Sequence, residues 1–161
     1  MKELMGKTFV AKLFCMFNQY KQVVSLSEAP TIVQRGWLKP SYSHDKAVEL
    51  KFQYLRYIDD RYLYAITGAE GEFVNSGLGV SHNGYVGLYN HAAVDNVWKF
   101  DFTEADDDGQ GFWLRDKDGQ RIAEYEAPVA GVFYLPGVGG RYLNVAAGEV
   151  GRFEVFAARL V

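Results

Sequence analysis

One short segment of the chain gathers side chains of the types that can recognise a sugar. Asn, Asp, His and Gln groups hydrogen bond with sugar hydroxyls, and an aromatic face stacks on the C–H surface of the ring, when a rigid scaffold holds them in loops. The segment 82–91 reads HNGYVGLYNH and supplies groups of both kinds. The candidate ligand-binding residues are His82, Asn83, Tyr85, Tyr89, Asn90 and His91. The alternative is that Asn83-Gly84 forms a hairpin turn and that both tyrosines belong to the core.

The sequence does not favour a metal site in this segment. His82 and His91 could meet across a hairpin, yet a zinc site needs a third protein ligand that no nearby residue supplies. The acidic stretches 104–109 and 116–119 lack the ligand register of an EF-hand, and aspartate beside glycine is common in turns. We predict exposed histidines, solvated acidic loops and no metal or cofactor. Zinc held through a distant carboxylate, or weak calcium binding at 104–109, is the minor alternative.

Nucleophilic catalysis is not indicated by the residues that could carry it. Such catalysis needs a Ser or Cys with a histidine base and an orienting carboxylate. The single cysteine, Cys15, lies between Phe14 and Met16 and reads as a small core residue. His44, like the other two histidines, lies in no recognisable motif. We therefore predict a non-enzymatic protein without catalytic residues, and one cysteine also excludes an intrachain disulfide.

Composition favours a single all-β domain over residues 1–161. The chain has 161 residues, 16% of them aromatic, with 17 Gly and 4 Pro. Aromatic residues favour strands, and glycines favour turns. A chain of this length can form one hydrophobic core without disulfides or other covalent cross-links. The net charge of -3 comes without a cluster of Lys and Arg, so nucleic acid is not an expected partner.

No stretch approaches the roughly twenty apolar residues of a membrane span. Lys7 and Lys12 interrupt the apolar run near the N-terminus before it reaches the length of a signal-peptide core. We expect a soluble protein that is cytoplasmic, or released without a standard signal peptide, and the sequence does not indicate its oligomeric state.

Alternating apolar residues around tight-turn signals predict a chain of β-hairpins. The clearest hairpin pairs 48–57 with 62–67 across Asp59-Asp60-Arg61. Strand 96–102 is predicted to bury Trp98 and Phe100 while Asp101, on the opposite face, meets water. Further strands are predicted at 8–17, 22–27, 31–34, 36–38, 73–75, 85–89, 111–115, 120–125, 132–135, 141–145 and 152–160, with a loop at 76–84. No segment has the spacing of an amphipathic helix.

A turn followed by Arg-Tyr-Leu or a variant recurs along the chain. It reads LRYIDDRYLYAITG at 55–68 and LPGVGGRYLNVAAG at 135–148, with a degraded copy, LRDKDGQRIAEY, at 114–125. Together with VWKFDF at 97–102, this pattern resembles the repeat of fascin-like and amaranthin-like β-trefoil (agglutinin-type) domains over about residues 48–161. The marks Arg61, Arg121 and Arg141 are unevenly spaced, so a long loop or an extra hairpin is needed to fit three units.

The resemblance implies a β-trefoil fold and a binding module that recognises glycans or glycoproteins through surface loops. The alternative fold is a calycin-like antiparallel β-barrel, which has about this length and also lacks helices. Gly36-Trp37 is only faintly similar to the lipocalin Gly-x-Trp mark, and we interpret Trp37 as core filling. The alternative functions are a protein-binding trefoil, such as a protease inhibitor or a toxin or defence component, and a calycin-like carrier of a small apolar ligand.

Overall fold

The protein is all-β in the parts that the structure describes. The computed structural model describes residues 1–17, 19–28, 35–90, 93–102, 111–127 and 140–161. The strands are β1 (Phe9–Phe17), β2 (Tyr20–Leu26), β3 (Leu38–Ser41), β4 (Leu50–Ile58), β5 (Arg61–Gly68), β6 (Gly77–Val80), β7 (Val86–Tyr89), β8 (Val97–Asp101), β9 (Trp113–Arg115), β10 (Ala123–Ala127), β11 (Gly140–Asn144), β12 (Glu149–Val150) and β13 (Arg152–Leu160). Within these ranges the helical elements are three short 3-10 turns, at Lys2–Leu4, His44–Lys46 and Gly71–Phe73.

Six strands are joined edge to edge into a barrel-like ring. Antiparallel pairings connect β1 to β4, β4 to β5, β5 to β8, β8 to β9, and β13 back to β1. The remaining gap, between β9 and β13, is bridged by Phe112 and Phe153, which exchange two backbone hydrogen bonds of 3.0 and 2.9 Å. The ring therefore has pairings on both sides of every member strand, although the last junction is a single bridge.

Three hairpins stand beside this ring, and each contains the strand that follows β1, β5 or β9 in the chain. They are β2–β3, β6–β7 and β10–β11, and β12 adds a short third strand to the last. Isolated bridges connect the hairpin regions, one between Trp37 and Gly87 and one between Tyr85 and Asn144. Gly36 permits the first contact, because a Cβ there would lie 2.2 Å from the Leu88 carbonyl oxygen.

Large aromatic side chains fill the ring. Its biggest fully buried members are Trp98, Tyr64, Phe9, Phe17, Phe52, Phe100, Phe112 and Phe153. Phe9 stacks on Phe52 with ring centroids 4.8 Å apart, and the hydroxyl of Tyr64 accepts a hydrogen bond of 3.0 Å from the Gly6 N–H. The N-terminal residues Met1, Leu4 and Met5 pack against the same core. The interior is thus packed with side chains from all six ring strands.

Strand β8 confirms the predicted aromatic face and corrects the predicted polar face. Trp98 and Phe100 are buried, and the Trp98 Nε1–H donates to the Leu78 carbonyl at 2.8 Å. Asp101 was expected to meet water, yet it is fully buried. Its Oδ2 accepts a hydrogen bond of 2.6 Å from Arg115 and lies 3.5 Å from a guanidinium nitrogen of Arg61. A buried carboxylate is tolerated here because two cations compensate its charge.

The hairpin predictions hold best where alternation is strict. The turn between β4 and β5 has positive φ at Asp59 and Asp60, as a two-residue hairpin turn requires. The predicted strand 73–75 is wrong, because Phe73 belongs to the 3-10 turn Gly71–Phe73. The predicted loop 76–84 contains β6. Predictions for 31–34, for the acidic loop 104–109 and for 132–135 lie outside the described residues.

The recurring Arg-Tyr-Leu segments occupy different places in the fold. Arg61–Leu63 lies in the ring strand β5, whereas Arg141–Leu143 lies in the hairpin strand β11. Arg121 lies between β9 and β10 and bridges to Arg115. These positions are not equivalent in the arrangement of ring strands and hairpins, which accounts for the uneven spacing of the three marks.

Candidate binding site

The predicted sugar-binding residues are distributed between the surface and the interior of the β6–β7 hairpin. His82 and Asn83 are exposed in the turn, and Asn90 is exposed just after β7. Tyr85 is buried, while Tyr89, the last residue of β7, is half-buried. His91 lies outside the described residues. The structure therefore brings His82 and Asn83 together at the surface and places both tyrosines beneath them.

Backbone hydrogen bonds fix the turn that presents His82 and Asn83. The Ser81 N–H donates to the Tyr85 carbonyl at 2.8 Å, and the Gly84 N–H donates to the Ser81 carbonyl at 2.9 Å. The Tyr85 N–H donates to the Ser81 Oγ at 3.1 Å. Gly84 adopts a φ of 84°, a left-handed conformation that glycine reaches without strain. Asn83-Gly84 thus lies in a turn, as in the alternative interpretation of the sequence. The side chains of His82 and Asn83 are nevertheless exposed to solvent.

An aromatic cluster at the junction of the three hairpin regions supports this turn. Tyr85 stacks on Trp37 with centroids 3.9 Å apart, and Tyr142 meets the Trp37 ring edge-on at 5.3 Å. Each of these three residues comes from a different hairpin region, and Tyr125 and Tyr89 pack around them. Burial, followed by the nearby phenols of Tyr125 and Tyr142, raises the pKa of Tyr85 above its ordinary value. Trp37 is core filling, as predicted, although it belongs to this smaller cluster and not to the ring interior.

Tyr89 is tied into the same cluster through its hydroxyl. The hydroxyl donates to the Tyr85 carbonyl at 3.0 Å. Burial raises the pKa of Tyr89, and side-chain hydrogen bonds with Ser81 and Trp37 oppose that rise. The phenol is therefore a neutral structural donor at ordinary pH.

Asn144 connects the β6–β7 turn to the third hairpin region, a role that sequence analysis did not identify. Its Nδ2 donates to the Asn83 carbonyl at 3.2 Å, while its Oδ1 accepts from the N–H groups of Ala146 and Ala147 at 2.7 and 3.0 Å. The Val145 N–H donates in turn to the Gly84 carbonyl at 2.9 Å. An Asn in such a turn is an ordinary local signal, and only the tertiary contact reveals what it holds.

A polar cleft of about 310 Å³ lies next to the turn, and Ser81 forms part of one wall. Its other walls are the segment before β8 and the turn between β9 and β10. It is lined by Val80, Ser81, Ala93, Val94, Asp95, Asp116, Lys117, Asp118 and Gln120. The turn is rigid, because the Asp116 Oδ1 accepts from the N–H groups of Asp118 and Gln120 at 3.0 and 2.8 Å. The exposed Lys117, Asp118 and Gln120 side chains thus stand on a fixed backbone opposite Ser81.

A second cleft, of about 590 Å³, lies on another part of the surface. Ion pairs line it, with Lys46 3.0 Å from Glu28 and Arg35 3.4 Å from Glu72. These four charged groups have partners within the protein, and both pairs are exposed, where an ion pair contributes little to stability. This cleft lies apart from the predicted segment.

The predictions about Cys15 and about metal ligands can be compared with the described residues. Cys15 is buried, and burial, with a smaller contribution from Glu124, raises the pKa of its thiol to about 12. A thiol of this kind is a poor nucleophile because almost none of it is ionised. Among the described residues, no group of three or more His, Cys, Asp or Glu side chains is placed to hold a metal ion. His91, the second histidine of the minor zinc alternative, lies outside those residues.

Comparison with known proteins adds no family to these observations. No family model matches the chain, and neither the curated proteins nor the solved structures contain a match. In the described ranges, no helix has the length and apolar character that crossing a bilayer requires.

Proposed function

We propose that the protein is a β-trefoil of the fascin-like and amaranthin-like type that binds glycans without catalysing a reaction. The fold proposal is supported by the order of the pairings. Strands β1, β4, β5, β8, β9 and β13 follow one another around the ring, and a hairpin follows every second one of them. A trefoil has three such units of four strands, and the filled interior favours it over a calycin-like carrier with a ligand cavity.

The observation that carries the functional proposal is the turn 81–85, whose backbone is held rigidly while its two central side chains are exposed. Loops fixed on a β scaffold are the usual place for recognition, because a preorganised site loses little entropy on binding. His82 and Asn83 project from this turn. The cleft of about 310 Å³ begins one residue away and offers carboxylate, amide and ammonium groups. Sugar hydroxyls both donate and accept hydrogen bonds, so such a mixture of groups suits them.

The mode of binding differs from the one that the sequence suggested. Tyr85 was a candidate platform for stacking, yet its ring is covered by Trp37. A sugar in the cleft would instead rest on the aliphatic side chains of Val80 and Val94. We therefore expect recognition dominated by hydrogen bonds from His82, Asn83 and Gln120, with Tyr85 and Tyr89 as positioning residues.

A glycan array probed with wild type and with the double variant His82→Ala/Asn83→Ala tests this proposal. Loss of two or three hydrogen bonds predicts a fall in affinity of about tenfold or more. His44→Ala is the matched control, because His44 is also exposed but lies on the 3-10 turn His44–Lys46. The melting temperature of each variant should stay close to that of wild type. A blank array for the wild type would remove the glycan proposal, and unchanged binding by the double variant would remove this site.

A further inference from the structure

The β4–β5 hairpin extends beyond the ring. Strand β4 pairs with β1 only over Leu50–Phe52, and from Gln53 onward its partner among the described strands is β5 alone. The residues from Leu55 to Ile58 are all exposed, including three large apolar side chains. A projecting hairpin with exposed apolar groups is unusual in a chain whose other aromatic residues are mostly buried, and such features commonly mark binding surfaces.

A row of tyrosines runs along the inner face of this hairpin from the core to the solvent. Tyr64 is fully buried, and Tyr54 lies next to it with a centroid distance of 5.7 Å. Tyr62 follows at 6.4 Å from Tyr54, and Tyr57 lies 4.8 Å from Tyr62 with the two rings inclined by 55°. Tyr57, at the tip, is 52% exposed. The inner rings anchor the outer ones, so the last two rings meet solvent at a fixed angle to each other.

A carboxylate is held beside these two rings. The Tyr57 hydroxyl donates to the Asp60 Oδ1 at 3.1 Å, and this contact with the carboxylate raises the pKa of Tyr57. The turn residue Asp59 adds a second exposed negative charge. Because Tyr57 holds one side of the Asp60 carboxylate, the group is oriented while its remaining lone pairs stay available.

The nearby arginines of the hairpin do not neutralise the exposed carboxylates of the turn. Arg61 reaches to the buried carboxylate of Asp101. Arg56 pairs across the strands with Leu63, and therefore lies on the opposite face from the Tyr57–Tyr62 pair. In the described part of the chain, the cation–ring contacts are Lys21 over Phe14 and two arginines over Trp113, all elsewhere. Among the described residues no cation therefore lies over Tyr57 or Tyr62, and the half-exposed ring of Tyr57 is accessible to an external cation beside the partly buried Tyr62.

We propose that Tyr57, Tyr62 and Asp60 form a binding site for an organic cation of the methylated or quaternary ammonium class. Aromatic faces attract such cations through their quadrupoles, and a carboxylate adds a direct charge interaction. A methylated ammonium fits better than a bare one, because it is weakly hydrated and its methyl groups match two inclined apolar rings. The site is separate from the turn 81–85 and does not depend on the proposed glycan binding.

Choline and its uncharged isostere 3,3-dimethyl-1-butanol test the proposal directly. Titration of the isotope-labelled protein with choline should give saturable NMR shifts at the backbone amides of residues 57–62, with a dissociation constant in about the millimolar range. The isostere has the same shape without the charge, so it should bind at least about fivefold more weakly. Absence of saturable shifts up to about 50 mM choline, or equal binding of the isostere, would overturn the proposal.

Two variants test whether choline binds at Tyr57 and Asp60. Tyr57→Leu keeps an apolar side chain but removes the ring, and Asp60→Asn keeps a residue that tolerates the positive φ of the turn. Each should weaken choline binding by about threefold or more. Tyr20→Leu is the control, since Tyr20 is 62% exposed beside another hairpin turn. If Asp60→Asn retains a native spectrum and binds choline as wild type does, the carboxylate has no part in the site.

Discussion

The side chain of Asn144 donates from Nδ2 to the backbone carbonyl of Asn83 at 3.2 Å, and this bond joins two hairpins that are distant in the chain. Asn144 is only 2% exposed, and its Oδ1 accepts two further backbone hydrogen bonds. The turn that presents His82 is therefore fixed from the third hairpin region, because its own strands supply only part of its hydrogen bonds.

Replacing Asn144 should destabilise the whole domain. Asn144→Ala removes the three hydrogen bonds that the buried Asn144 amide makes with backbone groups, and at about 1 kcal/mol for each bond this predicts a loss of about 2–3 kcal/mol in the free energy of unfolding. Urea denaturation measures this loss. Asn83→Ala is the control, since the Asn83 side chain is exposed and only its backbone carbonyl is used, so a change within about 0.5 kcal/mol is expected. Equal midpoints for wild type and Asn144→Ala would show that the contact contributes nothing.

The buried carboxylate of Asp101 should be another point of high sensitivity. Asp101→Asn preserves size and one acceptor but leaves Arg61 and Arg115 without their counter-charge, so we expect a loss of about 3 kcal/mol. Asp118→Asn, an exposed carboxylate, should change stability by less than about 0.5 kcal/mol. Thermal unfolding followed by circular dichroism distinguishes the two. A wild-type melting temperature for Asp101→Asn would mean that the two arginines find compensation elsewhere.

Strict alternation made the long hairpins predictable. Strand β13 begins and ends where the sequence placed it, at Arg152 and Leu160, and the β4–β5 turn was recognised from Asp59-Asp60. Strand β6 was missed because Gly77 and Gly79 read as loop residues. The structure shows why glycine is needed there, since a Cβ on Gly79 would lie 2.5 Å from the Val94 side chain. The glycines of β6 are required by a contact with a side chain from a later segment. The strand propensity of the local residues cannot reveal such a contact.

The candidate site was only partly accessible to sequence reasoning for the same reason. The segment around His82 was found from its residue types, but whether Tyr85 meets a ligand or the interior depends on Trp37 and Tyr142, which come from other hairpin regions. Asp101 alternates as a solvent-facing residue should, and two arginines from neighbouring strands change its environment. Pairwise tertiary contacts of this kind have no periodicity that a single sequence displays.

Substitutions at Tyr85 separate its structural role from direct binding. Tyr85→Ala removes a ring that stacks on Trp37 and should cost about 3–4 kcal/mol of unfolding free energy, whereas Tyr85→Phe keeps the ring and should cost less than about 1 kcal/mol. Tyr20→Ala, at a 62% exposed position, should change stability by less than about 0.5 kcal/mol. Chemical denaturation checks all three values. A Tyr85→Ala variant as stable as wild type would place the ring outside the cluster.

Alkaline pH should destabilise the protein through Cys15. Burial raises the pKa of this thiol from 9.0 to about 12, so between these values the unfolded chain releases a proton that the folded chain retains. Stability from this group is therefore intact below pH 9 and falls by about 1.4 kcal/mol per pH unit above it. Tyr64, whose pKa burial raises from 10.0 to about 12, adds to the fall above pH 10. Urea denaturation of wild type and Cys15→Ala at pH 8 to 10 checks this, because the variant should lose the steeper slope. Parallel curves for the two proteins would show that the folded thiol ionises as readily as the unfolded one.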